Sequence, residues 1–292
     1  MRIMTSTADR IGLGWRPELA AGILANLDRI DVVEVIADDF FDAPRRARRS
    51  LRTLAAQTSI VLHGVSLGLA SSAAVETKRL EKTARLCAEV QPDSWSEHLA
   101  FVRGGGIEIG HLAAPPRTIA TIEGAAANLA SARKIVGSAP LVENIATLID
   151  PPGSDHDEAA WIAKILRATP SDLLLDLHNL YANALNFGYA PLDFLEQIPV
   201  ERIAAIHLAG GKWIGHHDAR RLLDDHLHDV PDPVYALLEE VGARVRQPLT
   251  VILERDGDYP PIECLLEQLD RARKALAAGR ARQAELSVEA VA

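Results

Sequence analysis

The sequence has few cysteines, and no cysteine pair has the spacing of a metal or redox site. The two cysteines of the 292-residue chain, Cys87 and Cys264, stand outside any Cys-x-x-Cys motif. A structural zinc knuckle and a redox dithiol are therefore not expected. Each cysteine falls in an amphipathic helical pattern, which predicts a small residue of the protein core.

Long apolar runs, basic stripes and a targeting segment are also missing. No stretch of about 18 apolar residues occurs, so we expect no membrane-spanning segment. The first residues lack the apolar centre of a signal peptide, which favours a cytoplasmic location. The net charge of −9 and the lack of a Lys/Arg-rich stripe argue against nucleic acid as a partner. The basic run at residues 45–52 is typical of a solvated helix face, with docking of an acidic partner as the alternative.

The sequence does contain a regular alternation of short apolar runs and stretches with the 3.6-residue period of a helix. The predicted strands are residues 10–14, 32–37, 60–64, 94–98, 140–144, 173–176, 203–208 and 250–254. Eight strand–helix units predict a single α/β domain, a (β/α)8 TIM-like barrel, with a doubly wound open sheet as the alternative. No Gly-x-Gly-x-x-Gly motif follows the first strand, which argues against the open sheet. We expect the barrel to occupy residues 1–277, and residues 278–292 to form a flexible tail.

Two insertions interrupt this alternation. Residues 101–116 follow the fourth strand and predict a hairpin or a loop. Residues 210–232 follow the seventh strand, and long connections in compact domains are often functional. His216 and His217 fall in this second insertion, where they are candidates for lining the entrance to a site.

Histidines and carboxylates mark the ends of six successive predicted strands, from the third to the eighth. These residues are His63, Glu97 and His98, Glu143, Asp176 followed by His178 and Asn179, His207, and Glu254; the long insertion adds Asp224 and His226. Catalytic residues of a (β/α)8 barrel gather at the carboxyl ends of the strands. One of these residues alone would be explained by a structural hydrogen bond, but the repetition over six strands predicts a shared site.

The charges of this predicted site call for bound cations. Glu143, Asp176, Asp224 and Glu254 would bring four carboxylates into one partly dehydrated mouth, where they would repel one another. Arg255 is the one basic residue beside a strand end, so two or three divalent metal ions are the expected counter-charge. Mixed imidazole and carboxylate ligands without thiolate suit iron, manganese or zinc, and Glu143 or Asp176 is the candidate bridge between ions.

The residues after the sixth strand leave two ligand candidates. Side chains alternate along a strand, so His178 would share a face with Asp176 if the strand continues. If the strand ends at Asp176, Asn179 can turn toward the metals instead.

The order of short motifs along the chain resembles a known family, the multinuclear non-heme iron-dependent oxidases of the MbnB/TglH type. The motifs are LHG at 62–64, SEHL at 96–99, VEN at 142–144, DLHN at 176–179, IHLAG at 206–210, D-x-H at 224–226 with DPV at 232–234, and LE at 253–254. Together they extend over nearly the whole chain. The chain departs from the family pattern at His178 and Leu227, where asparagine and glycine are common. These departures leave the metal ligands in place and leave the substrate subgroup open.

The resemblance implies a TIM-like barrel that holds two or three iron ions, as a mixture of Fe(II) and Fe(III), with dioxygen as co-substrate. It implies a ribosomally made precursor peptide as substrate, modified at cysteine, and a partner protein that recognises the leader peptide. The implied ligands are His63, His98, Glu143, Asp176, Asn179, His207, Asp224, His226 and Glu254, with His178 as an additional candidate. Asp38, Glu97 and Arg255 are the candidates for catalytic or substrate-orienting roles beside the metals.

Two other functions compete with this interpretation. A multimetal zinc or manganese barrel of the sugar isomerase or apurinic-site endonuclease type also uses histidine and carboxylate at strand ends. The acidic chain argues against an endonuclease, and no lysine stands at a strand end as a sugar isomerase often has. A barrel that only binds a peptide is the second competitor, and the complete ligand set argues against it.

Overall fold

Parallel strands joined by helices close into a barrel in this computed structural model. The structure describes residues 8–216 and 220–289, and for residues 286–289 it describes the backbone alone. The barrel strands are β1 (Arg10–Gly14), β2 (Val32–Ile36), β3 (Ser59–Gly64), β4 (Ser94–His98), β7 (Leu141–Glu143), β8 (Leu173–Asp176), β9 (Ile203–Leu208) and β12 (Thr250–Leu253). Their order around the ring is β1-β2-β3-β4-β7-β8-β9-β12, and β12 pairs with β1 to complete the barrel. The predicted (β/α)8 fold is confirmed, with all eight strands at the predicted places.

The barrel strands are short apolar runs because helices cover their outer faces and side chains fill the interior. The helices are α1 (Ala20–Ala25), α2 (Asp38–Phe41), α3 (Arg45–Ala55), α4 (Thr77–Val90), α5 (Ile119–Val136), α6 (Glu158–Ala168), α7 (Leu177–Phe187), α8 (Pro191–Gln197), α9 (Asp232–Arg244) and α10 (Ile262–Glu289). Among the described residues, no helix is long and apolar enough to cross a membrane.

The two predicted insertions form hairpins outside the barrel. β5 (Phe101–Gly104) and β6 (Ile107–Ala113) pair antiparallel, as do β10 (Gly211–Ile214) and β11 (Arg221–Asp224). Both hairpins follow barrel strands directly, so they lie at the carboxyl end of the barrel. His217 lies outside the described residues.

The carboxyl-terminal helix differs from the sequence expectation at one residue. Cys87 is buried as predicted, but Cys264 is exposed, so its predicted core position is wrong. The first turn of α10 thus buries a face that does not include Cys264. The division of the chain at residue 277 stays a prediction: α10 continues to Glu289, and Arg280 donates to Asp9 Oδ1 at 2.7 Å. Residues 290–292 lie outside the described residues.

Candidate metal centre

Seven ionisable side chains meet inside the carboxyl end of the barrel. They are Glu34 on β2, His63 on β3, His98 on β4, Glu143 on β7, Asp176 on β8, His207 on β9 and Glu254 directly after β12. Each of them is at most 8% exposed. Parallel strands direct their carboxyl ends to the same mouth, which is why residues so distant in sequence meet. Their donor atoms form three overlapping groups, within each of which the atoms lie within 4.8 Å of one another.

Glu143 lies at the centre of this cluster and faces three imidazoles. Its Oε2 atom lies 3.5 Å from His63 Nε2 and 3.4 Å from His98 Nε2. Its Oε1 atom lies 3.2 Å from His207 Nδ1. The two oxygens thus face different histidines, an arrangement suited to a carboxylate that bridges two ions.

His207 connects this centre to two further carboxylates. Its Nδ1 atom lies 3.0 Å from Glu254 Oε2, and its Nε2 atom lies 2.9 Å from Glu34 Oε2. Burial lowers the pKa of His207, but Glu254, Glu34 and Glu143 outweigh it and raise the pKa well above its ordinary value. In the metal-free protein the protonated imidazole therefore supplies positive charge that a metal ion would otherwise supply.

His98 behaves in the same way. Burial lowers its pKa, but the charges of Glu143 and Glu97 raise it to about 9. Its ring stacks edge-on against His63, with the two centroids 4.6 Å apart. The buried imidazoles provide nitrogen donors for a cation, and the neighbouring carboxylates provide the negative charge that balances it.

Asp176 supplies a carboxylate that is buried without enough protein partners. It begins α7, where its Oδ1 atom accepts from the backbone N–H of Asn179 at 2.7 Å. Its Oδ2 atom is buried and has no hydrogen-bond partner among the described residues. Burial and the charges of Asp224 and Glu143 raise the pKa of Asp176 well above its ordinary value. A metal ion at Oδ2 would satisfy this oxygen and remove the cost of its charge.

Asn179 and His178 take different positions because the strand ends at Asp176 and a helix starts at once. The Asn179 Nδ2 atom donates to the Asn144 carbonyl at 3.0 Å, while its Oδ1 atom is buried without a partner in the described chain. His178 lies behind Asp224, with its Nδ1 atom 2.6 Å from Asp224 Oδ1. The His178 Nε2 atom is also buried without a partner in the described chain, but it lies against Gly211. Asn179, unlike His178, lines the cavity over the cluster. The geometry therefore favours Asn179 as the ligand and His178 as the residue that orients Asp224.

Asp224 and His226 approach the cluster from the β10–β11 hairpin. The Asp224 Oδ2 atom lies 2.8 Å from His226 Nε2, and His226 Nδ1 lies 3.7 Å from Glu254 Oε2. Burial raises the pKa of Asp224, but His226 and the hydrogen bond from His178 outweigh it and lower the pKa to about 2. His226 has a φ angle of 54°, an uncommon conformation for a residue with a side chain. Such backbone geometry is often found where a loop must direct a side chain into a site.

Taken together, the donor set fits metal ions. Buried oxygens of Glu34, Asp176 and Asn179 have no hydrogen-bond partner among the described residues. Buried polar atoms are rarely left in this state, and metal ligation is one way of satisfying them. Imidazole and carboxylate donors are present and thiolate is not among the grouped donors, so the set suits iron, manganese or zinc.

Glu34 is the residue of this cluster that sequence reasoning missed. It lies inside the run VVEVI of β2, two residues before the strand ends, whereas the predicted donors stand at strand ends. It is 2% exposed. A single carboxylate within a β-branched run was the available signal, because a buried acid needs a partner.

Three residues predicted to act beside the metals have contacts with loops. Glu97 Oε2 accepts from the Leu67 N–H at 3.0 Å, and Asp38 Oδ2 accepts from the Val65 N–H at 3.0 Å. Both carboxylates thereby hold the loop that follows His63. Arg255 donates to the carbonyls of Gly257 and Asp258 after β12. Their catalytic roles stay predictions.

A cavity of about 470 Å³ opens directly over the cluster. Its polar lining includes His98, Glu143, Asn179, Asp224 and His226. Its remaining walls are largely apolar and come from β6, from the loop after β7 and from β11. A second cavity of about 520 Å³ has Arg117, Glu158 and Tyr189 among its lining residues and lies away from the donors described above. The first cavity is therefore the candidate substrate site.

Comparison with known proteins places the chain in a family. Residues 10–277 match the model of the family described as RiPP precursor modification enzyme MbnB/TglH/ChrH. The chain belongs to this family. The expected resemblance is thus confirmed, and the buried donor cluster lies within the matched residues.

Curated relatives of this chain in the MbnB/TglH/ChrH family include several described as UPF0276 proteins. One from Caulobacter vibrioides is 34% identical over 274 residues, which cover 93% of this chain and 96% of the relative. Another from Streptomyces avermitilis is 35% identical over 276 residues, which cover 91% of this chain and 54% of the relative. The chain thus spans about half of the Streptomyces protein and nearly all of the Caulobacter protein.

Solved structures with the same fold include sugar epimerases and an endonuclease. An L-ribulose 3-epimerase aligns with a TM-score of 0.60 at 16% identity. The alignment covers 96% of this chain and 98% of the epimerase chain. Endonuclease IV from Thermus thermophilus aligns with a TM-score of 0.52 at 16% identity and covers 94% of this chain and 99% of its own. At this identity the likeness concerns the barrel fold alone.

Proposed function

We propose that this protein is an iron-dependent oxidase that uses dioxygen to modify a cysteine of a ribosomally synthesised precursor peptide. The supporting observation is the buried cluster in which Glu143 faces His63, His98 and His207 beneath an open cavity. Membership of a family of precursor-modifying enzymes supports the substrate class.

Two of the three overlapping donor sets share Glu143. His63, His98 and Glu143 would hold one ion, and Glu143, Asp176, His207 and Glu254 would hold a second. Asn179, Asp224 and His226 line the cavity above and would complete the ligation or hold a third ion. When bound, iron in mixed Fe(II) and Fe(III) states supplies the capacity to reduce dioxygen and oxidise the bound substrate.

The chain's own residues would orient the ligands and shape the space for the reacting cysteine. Glu34 would hold His207 from the side opposite Glu143, and Ser96 would hold His63, whose Nδ1 atom lies 2.8 Å from Ser96 Oγ. Such outer partners fix the orientation of a ligating imidazole. The apolar walls of the cavity would exclude water from the reacting cysteine, which protects a reactive site from side reactions.

We also propose that a separate protein recognises the leader part of the precursor peptide. The cavity of about 470 Å³ is large enough for a short segment rather than a whole precursor. Recognition of the remaining length would then fall to another surface or another chain.

A zinc- or manganese-dependent isomerase or hydrolase is the second candidate. The donor set without thiolate suits these metals as well as iron. The two proposals differ in the metal that supports turnover and in the need for dioxygen.

The test is an oxygen-uptake assay with the iron-loaded protein. A cysteine-containing precursor peptide and a partner protein, to be sought among the genes next to that of this chain, are added while dissolved oxygen and the peptide mass are followed. We expect oxygen uptake together with a mass change at cysteine. The zinc-loaded protein and the Glu143→Gln variant should show neither oxygen uptake nor a mass change. Oxygen uptake at the background rate with the iron-loaded protein, peptide and partner present would refute the proposal.

A further inference from the structure

Exposed large apolar side chains occur on two segments that contribute to the wall of the cavity over the metal centre. Nine large hydrophobic residues are exposed among the described residues. Four of these nine, Ile107, Ile109, Leu148 and Ile149, belong to the β5–β6 hairpin and to the loop after β7. We call these four residues the apolar rim. Contiguous exposed apolar surface on a folded protein often marks a binding site.

Two of the four rim residues belong to the wall of the cavity, and the other two, Ile107 and Ile109, lie in β6, the strand that supplies His111 and Leu112 to that wall. Leu148 and Ile149 line the cavity themselves, together with Leu112 of β6, which follows Ile109 in the same strand. Ile107 and Ile149 are the most exposed of the rim residues, at 71% and 73%. A chain that descends toward Glu143 would therefore meet apolar side chains from two segments before it reaches the donors.

The hairpin itself contributes no cover for these side chains. β5 and β6 form a two-stranded sheet of their own, and in the described part of the chain no third strand pairs with β6. Gly110 has a φ angle of 71°, and the pairing shifts register between Phe101 and Arg103. At one end of β6, His111 and Leu112 line the cavity, while Ile107 at the other end of the same strand lies exposed.

We infer that the apolar rim is a specificity subsite that binds large apolar side chains flanking the reactive residue of an extended peptide. The inference rests on the proposed function, because it takes the occupant of the cavity to be a peptide. The place of Leu148 and Ile149 in the cavity wall favours the substrate peptide over a partner protein, since only the substrate must reach Glu143. The apolar rim would then select the sequence around the modified residue, while the metal centre selects the residue itself.

The expected selectivity follows from the hydrophobic effect. Burying an isoleucine side chain contributes on the order of one power of ten in affinity, even if part of it stays exposed. Replacing one rim isoleucine by asparagine should therefore weaken the binding of an apolar peptide about fivefold to tenfold. Because these side chains are exposed, the replacements should leave folding unchanged.

The test compares two fluorescein-labelled peptides, Gly-Leu-Val-Cys-Val-Leu-Gly and Gly-Asn-Ser-Cys-Ser-Asn-Gly, by anaerobic fluorescence anisotropy. The proteins are the iron-loaded and metal-free wild type, Ile107→Asn, Ile149→Asn, and the matched control Leu185→Asn. Leu185 is 43% exposed and lies near the far end of α7. Thermal melting verifies that each variant is folded.

We expect the wild type to bind the apolar peptide at least tenfold more tightly than the polar one, with or without metal. Ile107→Asn and Ile149→Asn should reduce this preference, and Leu185→Asn should not. Equal affinity for the two peptides, no detectable binding of the apolar peptide, or an equal loss in Leu185→Asn would overturn the inference. Rim-dependent binding without oxygen uptake in the turnover assay would instead refute the proposed oxidase function and leave the subsite standing.

Discussion

Replacing Glu143 by glutamine probes the electrostatic centre of the cluster with little change in shape. In the metal-free protein, burial lowers the pKa of His98, and Glu143 is the largest of the charges that raise it to about 9. Without that charge, burial opposes only the individually smaller contributions of Glu97 and Glu254. We expect the pKa of His98 to fall from about 9 toward its ordinary value of about 6.5.

The size of the effect can be worked from this pKa. A rise from about 6.5 to about 9 is about 2.5 pKa units, or roughly 3 kcal/mol of preference for the protonated imidazole in the folded state. Because the pKa of His98 is raised on folding, this contribution is fully present below pH 6.5 or so and is lost as pH rises through about 9. The metal-free wild type should therefore lose free energy of unfolding across this window, and Glu143→Gln should lose much less.

The assay is a proton NMR titration of the histidine ring signals in chelator-treated protein, combined with urea unfolding at pH 6.5 and 9. Glu158→Gln is the matched control, because Glu158 is also buried but its side chain contacts Asn183 and Arg117 instead of the donor cluster. It should leave the pKa of His98 unchanged. If Glu143→Gln left the pKa of His98 near 9, the electrostatic account of the cluster would be wrong.

Three further predictions concern metal loading. Glu34→Gln should lower metal affinity about 10- to 100-fold, because Glu34 orients the ligand His207. Competition with a chelator measures this affinity, and an unchanged value would contradict the orienting role of Glu34. Asn179→Ala should reduce the metal content measured by mass spectrometry more than His178→Ala does, because Asn179 lines the cavity while His178 contacts Asp224 from behind. The reverse order would make His178 the ligand. Metal binding at pH 8 should release about one proton or more per chain, since His98 is mostly protonated at that pH before the metal binds. Calorimetry in buffers of different ionisation enthalpy measures this release. If no proton were released, the raised pKa of His98 would be contradicted.

The barrel could be predicted from the sequence because its signals are local. Each strand is a short apolar run followed by a stretch with a helical period. Eight repeats of that pattern are typical of the closed (β/α)8 barrel. The exposed position of Cys264 could not be predicted in this way. An amphipathic period defines a face of a helix, but the packing of α10 against its neighbours decides where the boundary of that face falls.

The candidate site was predictable where donors stand at strand ends, as His63, Glu143 and His207 do. Glu34 was not, because it lies within a strand and acquires its partner only when barrel closure brings β2 within reach of β9. The choice between His178 and Asn179 depends on where β8 stops. Asp176 begins α7 at once, and this turn places Asn179 beside Asn144 and moves His178 behind Asp224. Sequence spacing alone leaves both geometries open.

The most direct test of the central idea is the number and kind of iron ions that the protein binds. Chelator-treated protein is reconstituted anaerobically with ⁵⁷Fe(II), passed through a desalting column, partly oxidised, and examined by mass spectrometry and Mössbauer spectroscopy. We predict at least two irons per chain with magnetic coupling between them, and loss of that coupling in Glu143→Gln. One uncoupled iron or none, in a protein that remains folded, would contradict the account.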